Sequence, residues 1–251
     1  MPLVVIGAVL IAAVVGIWWL YSSSKPAANS TTANRSNTST NRVNSPATTS
    51  EPGAQPANML GSPTAAVTIE EFADYQCGSC AATHPVMKEV QQAYGNRIKF
   101  VFRSFPLAIP AHDKAYDAAV TAEAAGLQGK YWQMQDLLFR NQQAWTGNPN
   151  YKKMWAEYAQ QIGLDMAKFE ADLAGRAAKE RVDADLARGR GLQVNSTPTI
   201  YINGISIPYQ QMNTMALKQL IDSELAKASA QQQAPAAASA PAPANSPAAS
   251  K

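Results

Sequence analysis

Cys77 and Cys80 stand two residues apart in Cys77-Gly78-Ser79-Cys80, and the chain has no other cysteine. At that spacing, about one helical turn, the two sulfurs can close into a small disulfide ring or open to a dithiol. If Cys77 opens a helix, the unsatisfied amide N–H groups and the helix dipole favour its thiolate, which lowers its pKa and makes it the nucleophile. Cys80, one turn inside, is then the resolving thiol that attacks a mixed disulfide. The same spacing is also half of a zinc site, but such a site needs about four ligands, and the only imidazoles are His84 and His112. A static disulfide across so short a loop would remove little chain entropy.

The surrounding elements decide between these readings. Residues 66–72 (Ala-Val-Thr-Ile-Glu-Glu-Phe) are apolar and β-branched, a buried-strand pattern. Residues 81–94 read as a helix with Val86, Met87, Val90 and Tyr94 at helical spacing, Pro85 inside it as a kink, and Gly95 as its cap. Strand, short loop and cysteine at a helix start form the context that redox chemistry requires. Cys77-Gly78-Ser79-Cys80 through Pro85 resembles the active-site helix of thioredoxins. The wider run Gly61-Ser62-Pro63 and Glu71-Phe72-Ala73-Asp74-Tyr75-Gln76-Cys77 is similar to the DsbA-like thioredoxin family of bacterial envelope thiol oxidoreductases.

Residues 97–103 alternate as a strand, and about eighty residues of helical pattern follow: 113–125, 131–141, 151–162, 166–173 and 177–188. This insertion, about 111–190, resembles the helical cap of DsbA-like proteins through Phe105-Pro106, His112, Ala115 and Tyr131-Trp132 to Leu137. By that resemblance it lies over the redox centre and helps to form the substrate groove. His112 and the tryptophans Trp132, Trp145 and Trp155 read as packing residues, and His84 as a partly exposed helix histidine. The chain returns through two short apolar runs around Asn203-Gly204, a hairpin signal, and closes with an amphipathic helix over 211–226. The fold expected is thioredoxin-like α/β with an inserted helical subdomain, preceded by one N-terminal transmembrane helix. Thr197-Pro198 looks like the cis-proline loop of that fold, which would put the Thr197 backbone beside the cysteines. Glu71 occupies the place where the family carries an acidic side chain beneath the disulfide, helping to move the proton of the resolving thiol. A buried carboxyl has the raised pKa that role needs. The competing reading turns Glu70 inward and leaves Glu71 in solvent, because neighbouring strand residues face opposite ways.

Composition removes the two ends from this domain. Residues 3–20 carry no charge, and Trp18, Trp19 and Tyr21 stand at their C-terminal end, enough to cross a bilayer with an aromatic belt, so 1–21 reads as an anchor with a cleaved signal as the alternative. The nearest basic residue, Lys25, follows the span, which argues against an outward domain; a start upstream of Met1 with a few basic residues would reconcile the two. Residues 22–57 and 227–251 are low-complexity Ser, Thr, Asn, Ala and Pro, expected to be a disordered linker and tail. Within 58–226, 16 Lys and Arg face 17 Asp and Glu, which gives no basic face for nucleic acid.

The resemblance implies an extracytoplasmic, membrane-anchored and monomeric thiol–disulfide oxidoreductase. Its substrates would be cysteine-containing envelope or secreted proteins, and a quinone-linked membrane thiol oxidase would be its redox partner, with no organic cofactor or metal. Cys77 and Cys80 would be the reacting pair, supported by Thr197, Pro198 and Glu71. Introduction of disulfides is favoured. A tethered reductase of the same fold, a non-catalytic binding or chaperone module and a zinc-binding regulatory domain are the alternatives.

Overall fold

In a computed structural model, residues 52–233 are described. The apolar segment 1–21, most of the 22–57 linker and the tail beyond 233 lie outside them. Among the described residues no helix is long and apolar enough to cross a membrane.

The strand expected before the cysteines is β2 (Val67–Ala73), buried on both faces and placed at the centre of a five-stranded sheet. It pairs in parallel with β3 (Ile98–Ser104) and antiparallel with β4 (Thr199–Ile202). β1 (Asn58–Gly61) adds to the outer side of β3, and β5 (Ile205–Ile207) to that of β4. The β4–β5 hairpin turns at Asn203 and Gly204, whose φ angles of 49° and 79° are the left-handed pair that a tight two-residue turn demands.

Helix α1 (Gly78–Tyr94) joins β2 to β3 with Pro85 inside it. Between β3 and β4 the chain builds the helical insertion: α2 (Ala115–Gly126), α3 (Tyr131–Arg140), the short α4 (Gln142–Thr146), α5 (Tyr151–Gln161), α6 (Met166–Ala174) and α7 (Ala177–Gly191). Helix α8 (Thr214–Gln233) closes the domain. The architecture is thioredoxin-like α/β with a helical insertion.

The two faces of the sheet are covered differently. Helix α7 lies on the face that carries Glu70, Phe72, Arg103 and Tyr201. It approaches so closely that a Cβ built on Gly189 would stand 2.4 Å from the Phe105 ring and 3.1 Å from Phe72. The opposite face carries Ile69, Glu71, Phe100, Phe102 and Ile200. The Phe102 and Phe100 rings there meet Tyr131, Trp132 and Phe139 of α3, and α1 ties to α8 through Tyr94, whose hydroxyl donates to Asp222 at 2.8 Å.

Two expected boundaries are corrected. Residues 52–57, assigned to the disordered linker, are ordered. Arg103 donates to the Pro52 and Ala54 carbonyls, Arg181 to those of Gln55 and Pro56, and the Ala54 N–H to Asp185 at 2.8 Å. Those partners lie 49 or more positions away, so local composition carried no sign of them. Residues 227–233, assigned to the tail, extend α8; Ala, Lys and Gln are strong helix formers and carry a helix past its last packing residue. Of the two readings of Glu71, the one that leaves it in solvent is set aside: Glu70 and Glu71 are both buried, because helices cover both sides of β2.

Candidate active site

The loop between β2 and α1 is fixed before it reaches the first cysteine. Asp74 is fully buried, and its carboxylate accepts from the Gln76 N–H (2.7 Å), the Leu107 N–H (2.8 Å) and His112 Nδ1 (2.7 Å). Gln76 in turn accepts from the Lys114 N–H and donates to Asp113. From the other side Gln142 donates to the carbonyls of Tyr75 (2.7 Å) and Cys77 (2.9 Å). His112 therefore serves as a clasp on the loop. Neither Asp74 nor Gln142 carries a sequence signal of this role, since both act through tertiary contacts.

Cys77 is the N-cap of α1, with extended backbone (φ −73°, ψ 120°), and its carbonyl accepts the first helical hydrogen bond from the Ala81 N–H. The free first-turn amides of α1 therefore lie at the end of the helix that carries Cys77. Sγ of Cys77 lies 3.0 Å from Ser79 Oγ and 3.3 Å from the Thr197 carbonyl oxygen, and Ser79 Oγ reaches the same carbonyl at 3.2 Å. The Thr197–Pro198 peptide is cis, as expected, and Pro198 is buried.

Both cysteines are free thiols, and their environments drive their proton affinities apart. Hydrogen bonding from Cys80 comes first in lowering the Cys77 thiol to about 4. Burial opposes this, and the Ser79 hydroxyl, the Thr197 side chain and the Cys80 amide add to the lowering. Cys80, with no exposed surface, is pushed well above the ordinary thiol range by burial and by the neighbouring Cys77 anion. At neutral pH the pair holds one proton, and Cys80 keeps it.

Glu71 sits in β2 between Phe102 of β3 and Ile200 of β4. It is 3% exposed, and burial alone raises its carboxyl to about 8. Glu70, its neighbour, faces the other way and is bound by Arg103 Nε at 2.8 Å and by Arg188 Nη2 at 2.7 Å. His84 is buried rather than partly exposed: it stacks on Phe139 (centroids 4.9 Å apart) and its Nε2 meets Asp136 at 2.9 Å. Trp145 and Trp155 are core, packed edge to face at 5.1 Å. Among the described residues no three His, Cys, Asp or Glu side chains converge as a metal cage would require.

A family model described as thioredoxin matches residues 54–223. The chain belongs to the thioredoxin family. Within this fold class its structure is similar to the thiol-disulfide exchange protein alpha-DsbA2 of Wolbachia pipientis, with a TM-score of 0.55 and 20% identity over 66% of this chain and 86% of that one. It is also similar to oxidised BdbD of Bacillus subtilis, with a TM-score of 0.59 and 21% identity over 68% and 93%. At those identities the likeness is one of thioredoxin fold and insertion. Among curated proteins, "Na(+)/H(+) antiporter NhaA 1" of Mycolicibacterium gilvum is 34% identical over 149 residues, which are 59% of this chain and 23% of that protein. The thioredoxin-family chain thus spans about a quarter of the length of such relatives, and their name describes the whole of a much longer protein.

Proposed function

We propose that this protein is a thiol–disulfide oxidoreductase that hands its Cys77–Cys80 disulfide to cysteine-containing proteins outside the cytoplasm. The observation that carries this reading is the placement of the cysteines: Cys77 at the N-cap of α1 with Ser79 Oγ 3.0 Å from its sulfur, and Cys80 fully buried one turn behind, an arrangement that lowers the Cys77 thiol to about 4 and raises that of Cys80. A stabilised thiolate favours the dithiol form and makes the disulfide a strong oxidant. The name of the Wolbachia relative, a thiol-disulfide exchange protein, supports the same chemistry.

In the forward direction a substrate thiolate attacks Cys77 Sγ. The Cys77–Cys80 bond breaks, and the electron pair leaves on Cys80, which takes up a proton. The substrate's second thiolate then attacks its own sulfur in the mixed disulfide, and Cys77 leaves as the thiolate. Two electrons pass from the substrate to the cysteine pair, and the substrate gains the disulfide. Glu71, whose carboxyl titrates near neutral pH, is the proposed proton carrier for Cys80. Thr197 would pair its main chain with an extended substrate, with Pro198 shaping that loop. Reoxidation needs an external acceptor of two electrons, for which a quinone-linked membrane thiol oxidase is the proposed partner. The apolar run at 3–20 supports an anchor that holds the domain at the outer face of the cytoplasmic membrane.

The test is the equilibrium of the Cys77–Cys80 pair with glutathione, followed by thiol alkylation. A potential near about −120 mV is expected, whereas one near about −270 mV would reverse the direction to that of a reductase.

A further inference from the structure

The short helix α4 reaches the redox loop through one side chain. Gln142 stands at its first position, 8% exposed, and its single amide nitrogen donates to two carbonyls, Tyr75 O at 2.7 Å and Cys77 O at 2.9 Å. The helix beneath it is held firmly. Trp145 is fully buried and its indole N–H donates to the Leu138 carbonyl at 2.8 Å. Asp74 and Gln76 bind the loop to residues 107–114, so Gln142 holds it from the other side of the insertion.

These two carbonyls belong to the Tyr75–Gln76 and Cys77–Gly78 peptides and so flank the Gln76–Cys77 peptide that leads into the nucleophile. The Cys77 carbonyl is also the acceptor of the first helical bond, from the Ala81 N–H at 3.1 Å. Without a donor from Gln142, enclosed carbonyl lone pairs would remain unsatisfied beside the sulfur or would rotate to find water. Either outcome adds negative potential near Sγ or turns the first-turn amides of α1 away from it. We infer that Gln142 is a positioning residue through which the helical insertion sets the stability of the Cys77 thiolate. This rests on the thiol–disulfide reading above. It assigns to the insertion a role in the electronics of the nucleophile, in addition to shaping a surface.

The experiment uses the full chain, reduced, as wild type, Gln142→Leu and Trp145→Phe. The pH titration of thiolate ultraviolet absorbance and the equilibrium with glutathione are both read. Gln142→Leu is expected to raise the proton affinity of Cys77 about tenfold, one pKa unit, and to move the glutathione equilibrium about tenfold toward the protein disulfide. Trp145→Phe removes a buried hydrogen bond from the same helix but leaves the amide in place. It is expected to lower the melting temperature and to leave both readouts at wild-type values. Should Gln142→Leu not fold, Gln142→Asn, whose amide is too short to reach both carbonyls, is expected to give the same shifts. The inference is overturned if the Gln142 variants stay within about twofold of wild type, or if Trp145→Phe shifts the readouts equally. A wild-type Cys77 that titrates as an ordinary thiol would instead overturn the thiol–disulfide reading itself, and this inference with it.

Discussion

Glu70 and Glu71 are neighbours in one strand, both buried, and they live in opposite electrostatic worlds. On the α7 face, burial pushes the Glu70 carboxyl up, but Arg188 and Arg103 more than reverse this and hold it below the usual carboxylate range. Arg103 also binds Asp185 at 2.9 Å, so the charges on that face form a paired network. On the α1 face Glu71 has only Phe102 and Ile200 beside it in the sheet and no hydrogen-bond or ion-pair partner among the described residues. Paired charge makes one face a fastening. The unpaired carboxyl leaves the other face with a group that can gain or lose a proton near neutral pH, under the same helix that presents the cysteines.

The largest way to test this contrast is to break the pairing. Arg103→Met strands Glu70 and Asp185 as buried anions with fewer partners, and removing one member of such a network costs about 3–5 kcal/mol. Urea unfolding at neutral pH should show that loss; a change below about 1 kcal/mol would mean that the network is not a fastening at all. Next in size is the pH dependence of Glu71. Its carboxyl titrates at about 8 in the folded chain against 4.5 when unperturbed, so the native state keeps a proton that the unfolded state releases. The stabilising contribution is complete below about 4.5 and is lost as pH rises through about 8, a total of a few kcal/mol. Glu70, with a lowered carboxyl, contributes with the opposite sign: its stabilisation is present above the unperturbed value and lost as pH falls. In urea titrations at pH 5 and pH 8, Glu71→Gln should gain stability relative to wild type at pH 8 compared with pH 5, whereas Glu70→Gln should show no such gain. Smallest is the effect of Ser79→Ala, which removes one of several donors near Cys77 Sγ and should raise the thiolate midpoint by about half a unit to one unit. An unchanged midpoint would leave the stabilisation to Cys80 and the helix amides.

Much of this was visible in the chain. The strand–loop–helix frame of Cys77 and Cys80, the Asn203-Gly204 hairpin and the Thr197-Pro198 loop follow from local pattern, and the structure places all of them within a residue or two. The burial of Glu71 was open in the sequence because strand alternation says only that Glu70 and Glu71 point apart. It cannot say that helices cover both sides. Asp74, Gln142 and the helix α4 that carries Gln142 have no local signature of their role, because it is set by partners 33 to 67 positions away. The ordered stretch at 52–57 is illegible in the sequence for the same reason: its composition is that of a linker, and only distant arginines make it part of the domain.

That stretch also fixes where the domain begins in a mechanical sense. Three arginines, on β3 and α7, grip its carbonyls or the acids beside them, and Ala54 is enclosed with 1% of its surface exposed. A protease cut or a gene boundary between Pro56 and Asn58 would leave the five strands and eight helices of the described chain intact on paper. It would nevertheless withdraw main-chain acceptors from Arg103 and Arg181 and the amide donor from Asp185. The domain is therefore closed by residues that precede its first strand, and any pull arriving from the N-terminal side is borne by those charged contacts before it reaches the sheet.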